Sequence, residues 1–243
     1  MSIEGFKQKN GYEIDGMWLP RVTAITSVVS KYPLFLKERG YFNEAAKWGH
    51  FVHKMFGNLA RHERFEETET TMKLSQTFHD WIFENDILLQ NPKEDIEKRV
   101  VHTELAYAGT LDLVAQVKGR ISIIDFKTGT QMSPEYLLQT AGYMAAYNET
   151  AKVPSETRWI LRVDHYQECI GCLAQKRERG ARVFVREGKS TCNHQWSSLK
   201  TTGEFIELTE YEQDFRAFIA AKELWEWHHK TMLRAISNYP KAL

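Results

Sequence analysis

Long apolar runs are missing from this chain: none of its 243 residues fall in a stretch reaching the roughly 20 apolar positions that a membrane-spanning helix needs. The start, Met1-Ser2-Ile3-Glu4-Gly5, lacks a basic segment followed by an apolar one, so no secretory signal is expected and the chain is expected in the cytoplasm, with no membrane partner. Net charge is missing too. Lys plus Arg and Asp plus Glu both number 32, which leaves no global basic field and argues against a module that only coats nucleic acid. Cysteine is scarce, with three residues and none before Cys169, so no disulfide framework spans the chain. Repeats and low-complexity linkers are absent as well. What remains, 42% hydrophobic and 12% aromatic residues, suffices for one sizeable core, and one domain over residues 1–243 is expected.

Within that domain the most informative stretch is Gly109-Thr110-Leu111-Asp112, followed by Ile123-Ile124-Asp125-Phe126-Lys127-Thr128-Gly129. Two apolar, β-branched runs separated by Lys118-Gly119-Arg120 read as a β-hairpin. Side chains alternate along a strand, so Asp125 and Lys127 share one face and Phe126 enters the other layer. Asp112 on the partner strand can join them. Two carboxylates held that close repel unless a cation lies between them, and hard oxygen donors of this kind suit Mg²⁺ or Mn²⁺. A lysine beside them can hold water and offset charge on a transferring phosphoryl group. Without metal Lys127 is expected to be protonated, whereas a bound dication would favour its neutral form. Taken alone, Asp-x-Lys is far more often an exposed salt-bridge patch than a metal site.

The remaining periodicities give an α/β order. A hairpin or extended lead-in covers about 11–20, and Thr23 or Thr26 is expected to cap a short helix that breaks near Tyr32-Pro33. Helices are expected over about 43–61, 72–84 and 210–230, and another starting at Pro134. Strands are expected at about 98–106, 109–117, 121–126, 158–163 and 182–186. The consequence is a central mixed β-sheet flanked by helices.

Several features accompany the hairpin in a fixed order: Leu19-Pro20-Arg21-Val22-Thr23, then Trp48-Gly49-His50-Phe51-Val52-His53, then Glu104 ahead of Tyr107-Ala108-Gly109, and last Gln139 and Tyr143 four apart on a helix. In this order the chain resembles the PD-(D/E)xK nuclease superfamily and its RecB-like exonuclease branch, and is similar to phage and mitochondrial genome maintenance exonucleases. The resemblance implies a restriction-endonuclease-like core and a metal-dependent DNA exonuclease acting at DNA ends in recombination, repair or phage DNA processing. It implies that His53, Asp112, Asp125 and the backbone carbonyl of Phe126 bind the metal, with Glu104 as a further acidic candidate. Lys127 is the implied catalytic lysine, and Gln139 and Tyr143 are implied to support the site and contact DNA, together with Lys54. Gly49 and His53 keep the family spacing, but His50 stands where a threonine is usual. The implied partners are DNA, single-stranded or with free ends, and a recombination or replication protein; the implied setting is a bacterial or phage-infected cell. A catalytically silent relative that binds DNA ends or a partner is the alternative, as is a CRISPR-adaptation-type nuclease without its iron-sulfur cluster. Core packing also accounts for His53 or for the Gln139 and Tyr143 stripe.

The cysteines pose a separate question. Cys169-x-x-Cys172 and Cys192-x-His194 offer four ligands for a structural Zn²⁺ that would staple a cysteine-containing insertion at about 165–195. Free thiols in a reducing compartment are the alternative. Basic residues gather near the first helix (Lys47, Lys54, Arg61, Arg64) and later (Lys176, Arg177, Arg179, Arg182, Arg186); phosphate contact is one reading, and a solvated charged face is the commoner one for any single residue.

Overall fold

The computed structural model describes residues 2–30, 41–179 and 182–240. After helix α1 (Ile3–Asn10), strands β1 (Gly11–Ile14) and β2 (Met17–Pro20) form the expected hairpin. The short helix α2 (Val22–Thr26) follows, but its N-cap is Arg21, and neither threonine caps it. The expected break at Tyr32-Pro33 lies outside the described residues. Helices α3 (Tyr41–Ala60) and α4 (Glu69–Glu84) come next, and α4 starts earlier than its apolar stripe because Thr68 and Thr71 form a reciprocal capping box.

The sheet is eight-stranded and mixed, flanked by helices. Strand β3 (Ile87–Leu88) precedes a short helix, α5 (Pro92–Asp95), and β4 (Ile96–His102) pairs antiparallel with β5 (Tyr107–Val117). β5 turns through Lys118 and Gly119, both at positive φ, into β6 (Arg120–Lys127). That two-residue turn matches the right-handed twist of the hairpin it closes. Helix α6 (Pro134–Thr150) crosses to β7 (Thr157–Glu168), which lies parallel to β6 with Lys127 opposite Arg162. β7 also pairs with β10 (Lys200–Glu207) on the edge away from β6 and, at Gln167–Glu168 on the opposite edge, with β8 (Gln175–Arg179), whose hairpin partner is β9 (Arg182–Arg186). Helix α7 (Tyr211–Ala235) closes the fold. Sequence patterning left out α1, β3, β8 and β10; β8 and β10 are polar and only partly covered, so neither shows a buried alternation.

The two faces of the sheet have separate cores. Val52, Phe56, Leu74, Phe78 and Trp81 of α3 and α4 cover one face. Leu138, Tyr143, Met144, Phe218 and Trp225 of α6 and α7 cover the other. The second side is tied by Arg158, buried on β7, which pairs with Asp214 of α7 and donates to the Leu137 carbonyl of α6 at 2.8 Å.

One fault interrupts this regularity. Leu111 packs into the α6 and α7 core and Leu113 into the α3 and α4 core, although residues two apart in a strand share a face. The neighbouring strand inverts at the same level, with Val100 on the α6 and α7 side and Ile96 on the α3 and α4 side. Between Ile96 and Lys98 stands Glu97 at φ 52°, opposite Asp112 and absent from the paired register. The left-handed backbone at Glu97 rotates the strand, and Asp112 occupies the break. Because Glu97 is exposed, substitutions there report the backbone: Glu97→Gly should leave stability within about 0.5 kcal/mol, while Glu97→Val should cost roughly 1–2 kcal/mol. Urea unfolding checks this order, which is the reverse of ordinary strand propensity; a valine variant as stable as the glycine variant would contradict the left-handed turn.

Candidate active site

The β5–β6 ladder runs only to Leu113 opposite Ile124, one pair short of Asp112 and Asp125. Where it stops, the Asp112 carboxylate replaces it: Oδ2 accepts the Phe126 backbone N–H at 2.7 Å. Oδ1 meets His53 Nδ1 of α3 at 2.9 Å. Asp112 thereby links a helix on one face of the sheet to the strand that carries Asp125. The His53 ring also lies edge-on to Phe126, with centroids 5.8 Å apart, which holds the imidazole against the sheet.

Asp125 and Lys127 project to the α6 side. Asp125 is 1% exposed, and its Oδ2 lies 2.5 Å from Lys127 Nζ but outside hydrogen-bond alignment. Gln139 of α6 bridges the pair: its amide nitrogen donates to Asp125 Oδ1 at 2.9 Å and to the Tyr143 hydroxyl at 3.2 Å, while its oxygen accepts from Lys127 at 3.3 Å. Those three bonds leave the amide one orientation. Tyr136 adds a ring face 4.9 Å from Lys127 Nζ.

Burial sets the protonation states. The Asp125 carboxyl is pushed up to about 6 by burial, which outweighs the neighbouring lysine. Burial opposes charge on Asp112 as well, yet His53, Lys127 and the Phe126 N–H outweigh it and hold Asp112 below the usual carboxylate range. Burial likewise disfavours charge on Lys127 and His53, but the carboxylates prevail and raise both. Lys127 therefore stays protonated beside the two carboxylates, as the sequence leads one to expect.

The donor set fits a divalent cation. An Asp125 oxygen lacks an aligned donor, and its carboxyl resists ionisation without more positive charge. The 2.9 Å between His53 Nδ1 and Asp112 Oδ1 also matches adjacent ligands on an octahedron with bonds of about 2.1 Å, roughly 3.0 Å apart. The three side chains are looser as a group than a closed metal site. Among the described residues, the one set of three or more such donors lying within 4.8 Å of one another is Cys169, Cys172, Cys192 and His194, at a separate place.

Other expected residues are placed differently. Glu104 is exposed in the turn between β4 and β5, because Glu149 captures the N–H groups of Thr103 at 2.7 Å and Glu104 at 3.2 Å and ends the strand early. It does not join the two aspartates. Gln139 and Tyr143 are buried, and their side chains meet each other and, through Gln139, Asp125 and Lys127. Lys54 and His50 are exposed on α3. Arg177 turns inward to Asp164 with bonds of 2.6–3.2 Å, which removes it from the expected basic cluster. A concavity of about 500 Å³ at the far end of the hairpin, around Gln116, Gly119 and Lys152, contains none of these groups.

Sequence reading missed the role of Gly109. A methyl group there would stand 2.4 Å from Tyr143 Cε1, so glycine lets the Tyr143 ring close over the strand and support Gln139. Gly109→Ala should therefore cost about 1–3 kcal/mol in urea unfolding. The cost should shrink when Tyr143→Leu is added; an additive pair would show that the ring is not what the methyl group meets.

The chain is similar to several known proteins. Over 79 residues the chain is 33% identical to mitochondrial genome maintenance exonuclease 1 of Mus musculus, an alignment covering 30% of this chain. The chain spans 23% of the length of that curated relative. The crystal structure of LHK-Exo in complex with dAMP superposes with a TM-score of 0.33 at 12% identity, over 89% of this chain and 94% of that one. The sequence profile of one family matches residues 30–223, most of the length, and by that match the chain belongs to the PD-(D/E)XK nuclease superfamily.

Proposed function

We propose that this nuclease is a Mg²⁺- or Mn²⁺-dependent deoxyribonuclease that hydrolyses phosphodiester bonds at DNA ends. The observation that carries the reading is the pairing of Asp112, held at the sheet fault by His53 and Phe126, with a protonated Lys127 pinned by Asp125 and Gln139. The preference for ends rests on the likeness to the mouse exonuclease. Processing of ends in recombination, repair or phage replication is the setting in which such an activity serves.

His53, Asp112, Asp125 and the Phe126 carbonyl would hold the cation, which when bound supplies Lewis acidity to the scissile phosphate and lowers the pKa of water. The protein's own groups do the positioning. Lys127 presents its ammonium where the attacking water and the phosphate oxygens meet, and offsets charge that grows in the transition state. A lysine with a raised pKa suits that electrostatic role better than a general base. Gln139 and Tyr143 are positioning residues that hold Lys127 and Asp125 in one geometry. Lys54, exposed beside His53, lies where it can contact the DNA backbone.

End-labelled single- and double-stranded DNA incubated with Mg²⁺, Mn²⁺ or EDTA tests the reading. Stepwise, metal-dependent shortening is expected, and Asp112→Ala, Asp125→Ala and Lys127→Ala should each slow it by at least about 10²-fold. Inertness of the folded wild type with every metal would remove the proposal.

The raised carboxyl of Asp125 gives a second test. Below about 6 the carboxyl holds a proton that must leave before the oxygen can bind metal, and His53, whose pKa is also raised, adds another. Calorimetric titration with Mn²⁺ should therefore show the dissociation constant rising about tenfold or more per pH unit as pH falls through this range. A constant that ignores pH would place the cation elsewhere.

A further inference from the structure

We infer that Cys169, Cys172, Cys192 and His194 hold a structural Zn²⁺ that fixes the β8–β9 hairpin beside the nuclease site. The four ligand atoms lie within 4.8 Å of one another. Cys169 Sγ is 3.8 Å from Cys192 Sγ, and Cys172 Sγ is 3.4 Å from His194 Nδ1. Zinc bonds of about 2.3 Å to sulfur and 2.0–2.1 Å to nitrogen at tetrahedral angles set donors roughly 3.8 Å and 3.5 Å apart. Both observed separations fit a single tetrahedral ion.

The backbone is shaped to the same end. N–H groups of Gly171 and Cys172 point to Cys169 Sγ, and those of Ala174 and Lys189 point to Cys172 Sγ, the hydrogen bonds that stabilise metal-bound thiolates. Leu173 at φ 61° and Gly188 at φ 75° reverse the chain behind these ligands. A Cβ at Gly188 would stand 2.8 Å from Cys172 Sγ, so only glycine leaves the thiolate room.

Strand pairing and the Arg177–Asp164 bonds tie the lobe to β7, but it has little apolar packing of its own. Among the described residues, none between Cys169 and Ser198 belongs to a hydrophobic core cluster. Several of its large apolar side chains face solvent, with Ile170 71%, Leu173 65% and Val183 59% exposed. A segment this small without a core needs a crosslink or a metal. A disulfide does not meet the geometry, since the cysteines are free and the closest recorded sulfur pair is far beyond bonding distance. An iron-sulfur cluster needs ligands spread over several irons, wider than this set.

The lobe abuts the catalytic loop. Arg186 of β9 lies 3.4 Å from Thr130 Oγ1, and Arg162 of β7 donates to the Thr130 carbonyl at 2.9 Å. Thr130 follows Lys127 closely, so zinc in the lobe steadies the wall next to the lysine. The ligands are all protein atoms, which makes the site closed and structural, with no open position for chemistry.

Elemental analysis of the full chain, expressed with zinc and iron both supplied and purified without chelator, tests the assignment. One zinc per chain is expected, retained in excess Mg²⁺ and in Asp112→Asn/Asp125→Asn, so the result is independent of nuclease activity. Iron in place of zinc, no metal, or a Cys169–Cys192 disulfide in the intact mass would each overturn it. Cys172→Ser should lose the metal. Because that variant can also unfold, the wild type is stripped with a strong chelator as well: proteolysis should then open residues 169–198 while the sheet stays protected, and added Zn²⁺ should restore resistance. Replacement by Co²⁺ should give the absorption of a tetrahedral thiolate site. An unchanged proteolytic pattern after stripping would overturn the structural role.

Discussion

The rest of the structure depends on one constraint: Asp112 stands where two neighbouring strands change face together and the ladder on its other side ends. In an unbroken sheet its carboxylate would face one layer only. At the fault it reaches a helix on one side and takes a backbone N–H from the strand that holds Asp125. An irregular backbone of this kind costs free energy, of order 1–3 kcal/mol for each residue in a sparsely populated region. Two well-filled cores on either side carry that cost, and the irregularity sits where the chemistry is.

A second theme is charge buried with partners. Asp125, Lys127, Asp112 and His53 are each disfavoured as ions by burial, and each finds an opposite charge or a donor. Arg158 and Asp214 form another buried ion pair under the far face. A buried pair gains little net stability over apolar packing, but removing one member costs about 3–5 kcal/mol. Such pairs therefore serve geometry more than stability. The Arg158 pair locks α6 against β7 and α7, and α6 carries Gln139 to the lysine.

Much of the active-site half was legible from residue order. Alternation along β6 put Asp125 and Lys127 on one face, the i, i+4 spacing put Gln139 and Tyr143 on one helix face, and Lys118-Gly119 announced the turn. The misses have physical causes. Glu104 sits on an apolar run in sequence, yet Glu149, 45 residues later, captures its backbone and ends the strand. The positive φ of Glu97 leaves no trace in the sequence, because glutamate is an ordinary strand-surface residue. Gly109 was expected only to begin a strand, and it also leaves the space for a tyrosine ring. The cysteine spacings were readable, but only folding shows that His194 turns back to meet them.

The crossover through α6 has a consequence for how the site comes into being. Asp125, Lys127, Gln139 and Tyr143 fall within nineteen residues, so their contacts are local and close little loop entropy. His53 must come from 59 residues before Asp112, across the sheet. The lysine half can therefore assemble early, while the His53–Asp112 contact waits for α3 to dock. A chain caught between these stages carries the lysine contacts without the histidine, so the full arrangement is only as complete as its longest-range member.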